Sequence, residues 1–316
     1  MSTATLAVNT GTFVYLCNFV REKSAIVLAP SKAYLVESRL NPVARENGLS
    51  SLDELVAALK KPGSRNLATQ VIDAMTTNES SFFRDLQSFE ALKTVIIPEL
   101  MEKRAKERTL NIWSNACSSG QEVYSIAMLL RESFPALGGW KVRLIASDLS
   151  TAILKKAQEG IFNQTEVNRG LPMPMLLKYF TKSGLQWQVK EDVRKSIEFR
   201  EVNLIENWPP TLPTMDIVFL RNVLFYFSPE TKTTILNKVH HMLRPDGCLF
   251  LGGTETAMNL DTKFVRRPVG KTTCYRPGPR VQVSSLSLRR DGRLEVHPAS
   301  GMMMCGKSSG IVNATG

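Results

Sequence analysis

NIWSNACSSGQEVYSIA, residues 111–127, changes its periodicity within a few residues. Residues 111–116 read as a strand and Gly120 as a tight turn. Residues 121–132 read as a helix with Ile126, Ala127 and Leu130 on one side. The same rhythm then repeats. Residues 142–147 read as a second strand ending at Asp148, followed by a helix with Ser150 as its N-cap. Residues 197–202, 216–220 and 248–252 read as further strands. Between the last two, Ser228 caps a helix that has Pro229 at its first position and ends at Pro245-Asp246-Gly247. Strands alternating with helices predict an α/β fold, a mostly parallel sheet covered on both faces.

Upstream, residues 13–75 read as four short helices. Phe13, Leu16, Cys17 and Val20 share a face, and Gly48 closes a second helix that carries Leu35, Val36 and Leu40. Ser51 and Glu54 form a capping box before Leu52, Leu55, Val56 and Leu59, and a fourth helix carries Leu67, Val71, Ile72 and Met75. Three regions result: a helical domain at 1–76, the α/β domain at 77–275 and a tail at 276–316. The tail has few large apolar residues and is expected to be disordered.

The chain has 316 residues, 43% of them hydrophobic, enough for a sizeable core. Its five cysteines are scattered, with no CxxC and no Cys/His cluster, so neither a disulfide framework nor a metal site is expected. No signal peptide or span of about 20 apolar residues is seen, which predicts a cytoplasmic protein with no membrane insertion. The net charge of +11 is diffuse and permits an acidic partner. No RNA-binding motif accompanies it, so no nucleic acid is expected.

An open parallel sheet binds its ligand outside the carboxyl ends of its strands. That rule selects four places. Residues 116–122 form a small-residue turn that lets a ligand approach the backbone, although they fit an ordinary strand–helix turn too. They lack GxGxxG and the Walker lysine, which disfavours a phosphate cradle. Asp148 can accept hydrogen bonds from a ribose, or merely favour a helix dipole. Arg221-Asn222, with Tyr226 beyond, follows an apolar strand. Asn203-Leu204 closes another strand. A fifth feature is Thr76–Arg84, TTNESSFFR, at the domain junction; its Phe pair could simply pack the helical domain onto the sheet.

These segments together resemble the CheR family of chemotaxis receptor methyltransferases. The resemblance rests on the TNE-x-x-FFR stretch ending at Arg84, on residues 113–127, on Ala146-Ser147-Asp148 and on 221–227. Leu243-Arg244-Pro245-Asp246-Gly247 and residues 31–40 extend it, so it covers about residues 13–275, in order. One departure is Gln121-Glu122-Val123 where the family usually has Glu-Glu-Pro. The resemblance implies a Rossmann-like S-adenosyl-L-methionine-dependent methyltransferase sheet with an N-terminal helical domain and a small inserted antiparallel β-subdomain near 181–202. It further implies that Asn78, Ser80, Arg84, Glu122, Asp148, Asn203, Leu204, Arg221 and Asn222 surround the cofactor. Asp148 would hold the ribose, and Arg84 and Tyr226 would lie nearest the reacting methyl.

The implied activity is esterification of glutamates on the cytoplasmic helical region of chemotaxis receptors, with S-adenosyl-L-homocysteine as product. A glutamate carboxylate, with a pKa near ~4.3, is already an anion at neutral pH and needs no general base. The helical domain would dock the acidic receptor through basic residues, with Lys23, Lys32, Arg39 and Arg45 as candidates. The turn Thr181-Lys182-Ser183-Gly184 looks shorter and less glycine-rich than in members that grip a receptor's carboxy-terminal pentapeptide. Independence from that peptide is therefore expected. A monomer is expected as well. Two alternatives remain open from the residues: a methyltransferase of the same fold with another substrate, and a non-catalytic cofactor-binding sensor or scaffold.

Overall fold

The computed structural model describes residues 9–258, 260, 263–278, 286–288 and 294–296. The first unit, Met1–Gly278, begins with α1 (Thr10–Ser24), α2 (Ala33–Glu46), α3 (Leu52–Leu59) and α4 (Arg65–Met75). Their apolar stripes meet in one core, where Leu16, Val36, Leu40, Leu55 and Val71 are fully buried. Each such side chain contributes about 1.5–3 kcal/mol by leaving water. Ser51 caps α3 through Glu54 N at 3.1 Å, but Glu54 turns its carboxylate to Ser50 N at 2.7 Å, so the expected capping box is only half formed.

After α5 (Leu86–Ala91) and α6 (Ile97–Lys103) the α/β alternation begins: β1 (Thr109–Asn115), α7 (Gln121–Ser133), β2 (Lys141–Asp148) and α8 (Thr151–Glu159). There follow β3 (Ile161–Asn163), α9 (Gln164–Asn168), α10 (Met173–Tyr179), β4 (Phe180–Ser183), β5 (Gln186–Val189), α11 (Glu191–Arg194) and β6 (Ile197–Glu201). The last elements of this unit are β7 (Met215–Leu220), α12 (Pro229–Met242), β8 (Leu243–Leu251), β9 (Phe264–Val269) and β10 (Thr272–Pro277). The main sheet has the order β6-β2-β1-β7-β8-β10-β9. Its first five strands are parallel, and β10 runs antiparallel to both β8 and β9. The chain winds outward from β1 in one direction through β2 and β6, then in the other through β7 and β8. The order reverses beside β1, which opens a crevice at the carboxyl ends of β1, β2 and β7. The expected caps form: Ser150 Oγ accepts from Ile153 N, and Ser228 Oγ from Thr231 N.

Three expectations are corrected. The inserted subdomain is β3-β5-β4, a three-stranded antiparallel sheet. Ile197–Glu201 is not part of it, because it pairs in parallel with β2 and forms the edge of the main sheet. Thr181–Ser183 is itself strand rather than turn, and the hairpin turn is Gly184-Leu185, with Gly184 at φ +59°. A two-residue connection demands positive φ, which glycine adopts without strain. Finally, the Phe pair does not join the helical core. Phe82 packs edge-on against Phe162 and Phe180 at 5.0 and 5.7 Å, and Phe83 against Phe89 at 5.2 Å.

In the second unit, Pro279–Gly316, the strands β11 (Leu286–Leu288) and β12 (Leu294–Val296) pair antiparallel. The tail was expected to begin at 276 and to be disordered, but Arg276 and Pro277 are the last residues of β10, paired with Val265 and Phe264; residues 279–285, 289–293 and 297–316 lie outside the described residues.

Candidate active site

The turn after β1 folds against its neighbours because it alternates conformations: Ala116 and Ser118 lie at φ +49° and +52°, and Gly120 at +90°. At Gly120 a Cβ would sit 3.1 Å from the Tyr124 ring and 3.2 Å from Ala157 Cβ, so a side chain there would be crowded as well as strained by the positive φ. Left-handed non-glycine residues cost about 1–3 kcal/mol each and persist only where surrounding contacts over-determine them. Here the contact is Asp148, at the end of β2. Its Oδ2 accepts from Ser118 N at 2.8 Å and its Oδ1 from Ser150 N at 3.0 Å. Burial raises the Asp148 pKa, opposed by these main-chain donors. Within the turn, Cys117 is buried, and that burial pushes its thiol pKa up.

Glu122 opens α7. Its Oε1 accepts from Ser114 Oγ at 2.7 Å and its Oε2 from Arg221 Nη1 at 2.8 Å. Arg221, at the end of β7 with its side chain only 2% exposed, also donates to Asp85 Oδ2 at 2.5 Å and to the Arg84 carbonyl at 2.7 Å. One guanidinium thus ties the end of β7, the start of α7 and the 84–85 segment together. Sequence reasoning placed Arg221 beside the ligand. In the structure it lines the cleft while spending most of its donors on the protein.

These elements line one cleft that opens to solvent. All ten residues singled out in the sequence line it: Asn78, Ser80, Arg84, Glu122, Asp148, Asn203, Leu204, Arg221, Asn222 and Tyr226. The Arg84 guanidinium donates to the Glu79 carbonyl at 3.3 Å. Asn78 Nδ2 donates to Thr76 Oγ1 at 3.2 Å. Asn203 donates to the Lys23 carbonyl at 2.8 Å, and Val27 N to the Tyr226 carbonyl at 3.0 Å, so the end of α1 and the segment after it close one wall.

Ser118, in the turn singled out from the sequence, lines the cleft, and so do Ser24 and Ile26, which were not anticipated. Neither were Asp85, which holds Arg221, and Glu255, which holds the loop after β7. The strand-end rule could have found Glu255, since it follows β8. Ser24 and Ile26 carried no local signal. One docking candidate is withdrawn: Arg39 donates to the carbonyls of Met75 and Thr76, both at 3.0 Å, and to Thr77 Oγ1. It closes the end of α4 rather than facing a partner.

The cleft suits a cationic nucleoside donor. Glu122 and Asp148 both line it, and Ser118 Oγ lies buried there with no hydrogen-bond partner among the described residues. Comparison with known proteins agrees. The family described as "CheR methyltransferase, SAM binding domain" matches residues 78–272, and "CheR methyltransferase, all-alpha domain" matches residues 12–76. Chemotaxis protein methyltransferase 1 of Pseudomonas aeruginosa is 43% identical over 250 residues, 78% of this chain and 90% of that protein. Chemotaxis protein methyltransferase Cher2 of Pseudomonas putida is 42% identical over the same shares. The chemotaxis protein methyltransferase of Borreliella burgdorferi is 33% identical over 76% of this chain and 86% of its own length.

Proposed function

Since the chain belongs to the CheR family of chemotaxis methyltransferases, we propose that it esterifies glutamate side chains on the cytoplasmic helices of chemotaxis receptors. The observation that carries this reading is the cleft itself, where carboxylates, one lightly engaged arginine and one tyrosine from separate segments face a common space. When bound, S-adenosyl-L-methionine supplies an electrophilic methyl on a cationic sulfur, and leaves as S-adenosyl-L-homocysteine.

The chain's own residues have three tasks. Asp148 accepts the ribose hydroxyls, with Ser118 and Ser150 holding its carboxylate in place. Asn78, Ser80, Glu122, Asn203, Leu204, Arg221 and Asn222 complete the cofactor's surroundings, with Arg221 acting mainly by fixing Glu122. Arg84 and Tyr226 receive the incoming glutamate. Arg84 orients the carboxylate, and Tyr226 donates a hydrogen bond or packs its ring against the positive methyl. Since the nucleophile is already ionised, alignment and exclusion of water supply the rate, worth on the order of 7–11 kcal/mol for well-oriented groups. Tight pairing of Arg84 with the ground-state carboxylate alone would not lower the barrier.

Residues 1–76 act as the receptor-docking domain, with exposed Lys23, Lys32 and Arg45 toward an acidic helix. Among the described residues no helix is long and apolar enough to cross a membrane. By the family reading we place the protein in the cytoplasm, acting as a monomer. Incubation with methyl-labelled cofactor and receptor-bearing membranes is expected to put base-labile label on receptor glutamates. Label on another substrate class, or cofactor binding with no transfer, would overturn the assignment.

The two-residue turn Gly184-Leu185 leaves the β3-β5-β4 subdomain little loop with which to embrace a peptide. Titration of a receptor carboxy-terminal pentapeptide is accordingly expected to give no binding heat at micromolar protein. A nanomolar-to-micromolar complex would refute that independence.

A further inference from the structure

Glu255 lies in the Gly252–Thr256 segment that follows β8, and its carboxylate is saturated by main-chain donors. Oε2 accepts from Asn222 N at 2.7 Å and Gly252 N at 2.8 Å. Oε1 accepts from Val223 N at 2.9 Å and Leu224 N at 2.8 Å. A carboxylate has about four acceptor directions, so a single side chain holds three consecutive N–H groups of the loop after β7 and one after β8. The two segments touch here. A Cβ on Gly252 would lie 2.6 Å from Asn222 Nδ2, 2.8 Å from Glu255 Oε2 and 2.9 Å from Asn222 N.

The loop being held is strained, with Asn222 left-handed at φ +58°. It leads directly into the 3-10 turn Leu224–Tyr226, whose closing bonds are Tyr226 N to the Val223 carbonyl at 3.2 Å and Phe227 N to the Leu224 carbonyl at 3.0 Å. On its far side that turn receives Val27 N. Tyr226 is therefore set by one carboxylate beneath the loop and one amide beside it.

We propose that Glu255 is a positioning residue for methyl transfer: it clamps the Asn222–Leu224 main chain and thereby aims Tyr226 at the substrate carboxylate, touching neither substrate nor cofactor. This rests on the role given to Tyr226 above. The chemistry of the clamp requires both oxygens. Glutamine has one oxygen, and its NH₂ would face two N–H donors, so Glu255→Gln keeps at most half of the bonds. Aspartate keeps the charge but falls one methylene short, so Glu255→Asp retains part of the hold.

The test uses the full chain with Glu255→Gln, Glu255→Asp, Tyr226→Phe and the Gln/Phe double variant. Their readouts are steady-state methylation of receptor membranes and amide hydrogen exchange. Misaiming by a fraction of an ångström to one ångström predicts a kcat loss of about 10- to 100-fold for Glu255→Gln. Receptor KM should stay within about threefold, and Glu255→Asp should be intermediate. Exchange should accelerate at residues 222–224 and not in β1 or β2. In the Tyr226→Phe background, Glu255→Gln should add less than about a further twofold, since the two act as a unit. Unchanged exchange at 222–224, or fully additive losses in kcat, would overturn the proposal. A fully active Tyr226→Phe protein would instead remove Tyr226 from catalysis, and hydrogen exchange would still judge the clamp on its own.

Discussion

Asp148→Ala is expected to weaken binding of S-adenosyl-L-homocysteine by at least about 100-fold, because the role proposed for Asp148 gives the ribose two charge-assisted hydrogen bonds of about 1.5–3 kcal/mol each, which the variant would lack. The second loss is internal. Ser118 N and Ser150 N lose their acceptor, and the left-handed turn at Ala116 and Ser118 loses the contact that holds it. Receptor affinity, carried by a separate surface, should change little. Calorimetry with the product measures the first effect, and a 2′-deoxy analogue isolates its cause. The wild-type protein should discriminate against the analogue, whereas the variant should bind both ligands alike. Equal product affinity in the two proteins would remove Asp148 from the site.

The second large effect lies at the opposite end of the sheet. Asp216, at the start of β7, is fully buried. It accepts from Asn111 N at 2.8 Å and Arg104 Nε at 3.1 Å, and Arg244 Nε lies 3.4 Å away. Arg104 in turn forks to Asp246 at 2.6 and 3.1 Å. Arg104 keeps Asp246 and Arg244 keeps Glu107, but without Asp216 the buried Asn111 N–H and the Arg104 Nε–H have no acceptor, so Asp216→Ala should cost about 3–5 kcal/mol of stability. For a unit of this size that corresponds to a fall in Tm of roughly 10 °C. Denaturant unfolding measures the loss. Cofactor affinity of the folded variant should stay within about threefold, because distant sites are nearly independent. A loss below about 1 kcal/mol would show that the network contributes little.

Much of the site was legible because a parallel α/β sheet turns a one-dimensional rule into a place. Residues just past the strands ending at Asn115, Asp148 and Leu220 must emerge at the same edge, so Glu122, Asp148 and Arg221-Asn222 could be named without coordinates. Asn78, Ser80 and Arg84 came from resemblance alone, since no periodicity marks them. Arg39 and Arg221 show where such reasoning stops. Both were read as groups facing a partner or ligand, yet most of their donors go to groups distant in the chain. Glu255 escaped notice for a related reason: its significance lies in four N–H groups, and main-chain donors have no letter in a sequence.

By itself the sequence determined the alternation that makes the parallel sheet, the four amphipathic helices before it, the caps at Ser51, Ser150 and Ser228, and the strand ends where chemistry gathers. These depend on periods and spacings a few residues long. Only the tertiary structure decided that Ile197–Glu201 joins the main sheet, that Phe82 packs on the inserted subdomain, and that Ser24 and Ile26 reach the cleft. It also decided that a buried arginine and a half-buried glutamate hold the loops that shape the cleft. Those pairings join residues that are tens to hundreds of positions apart, and they are selected by which surfaces and hydrogen-bonding groups are left to satisfy once the chain has closed on itself.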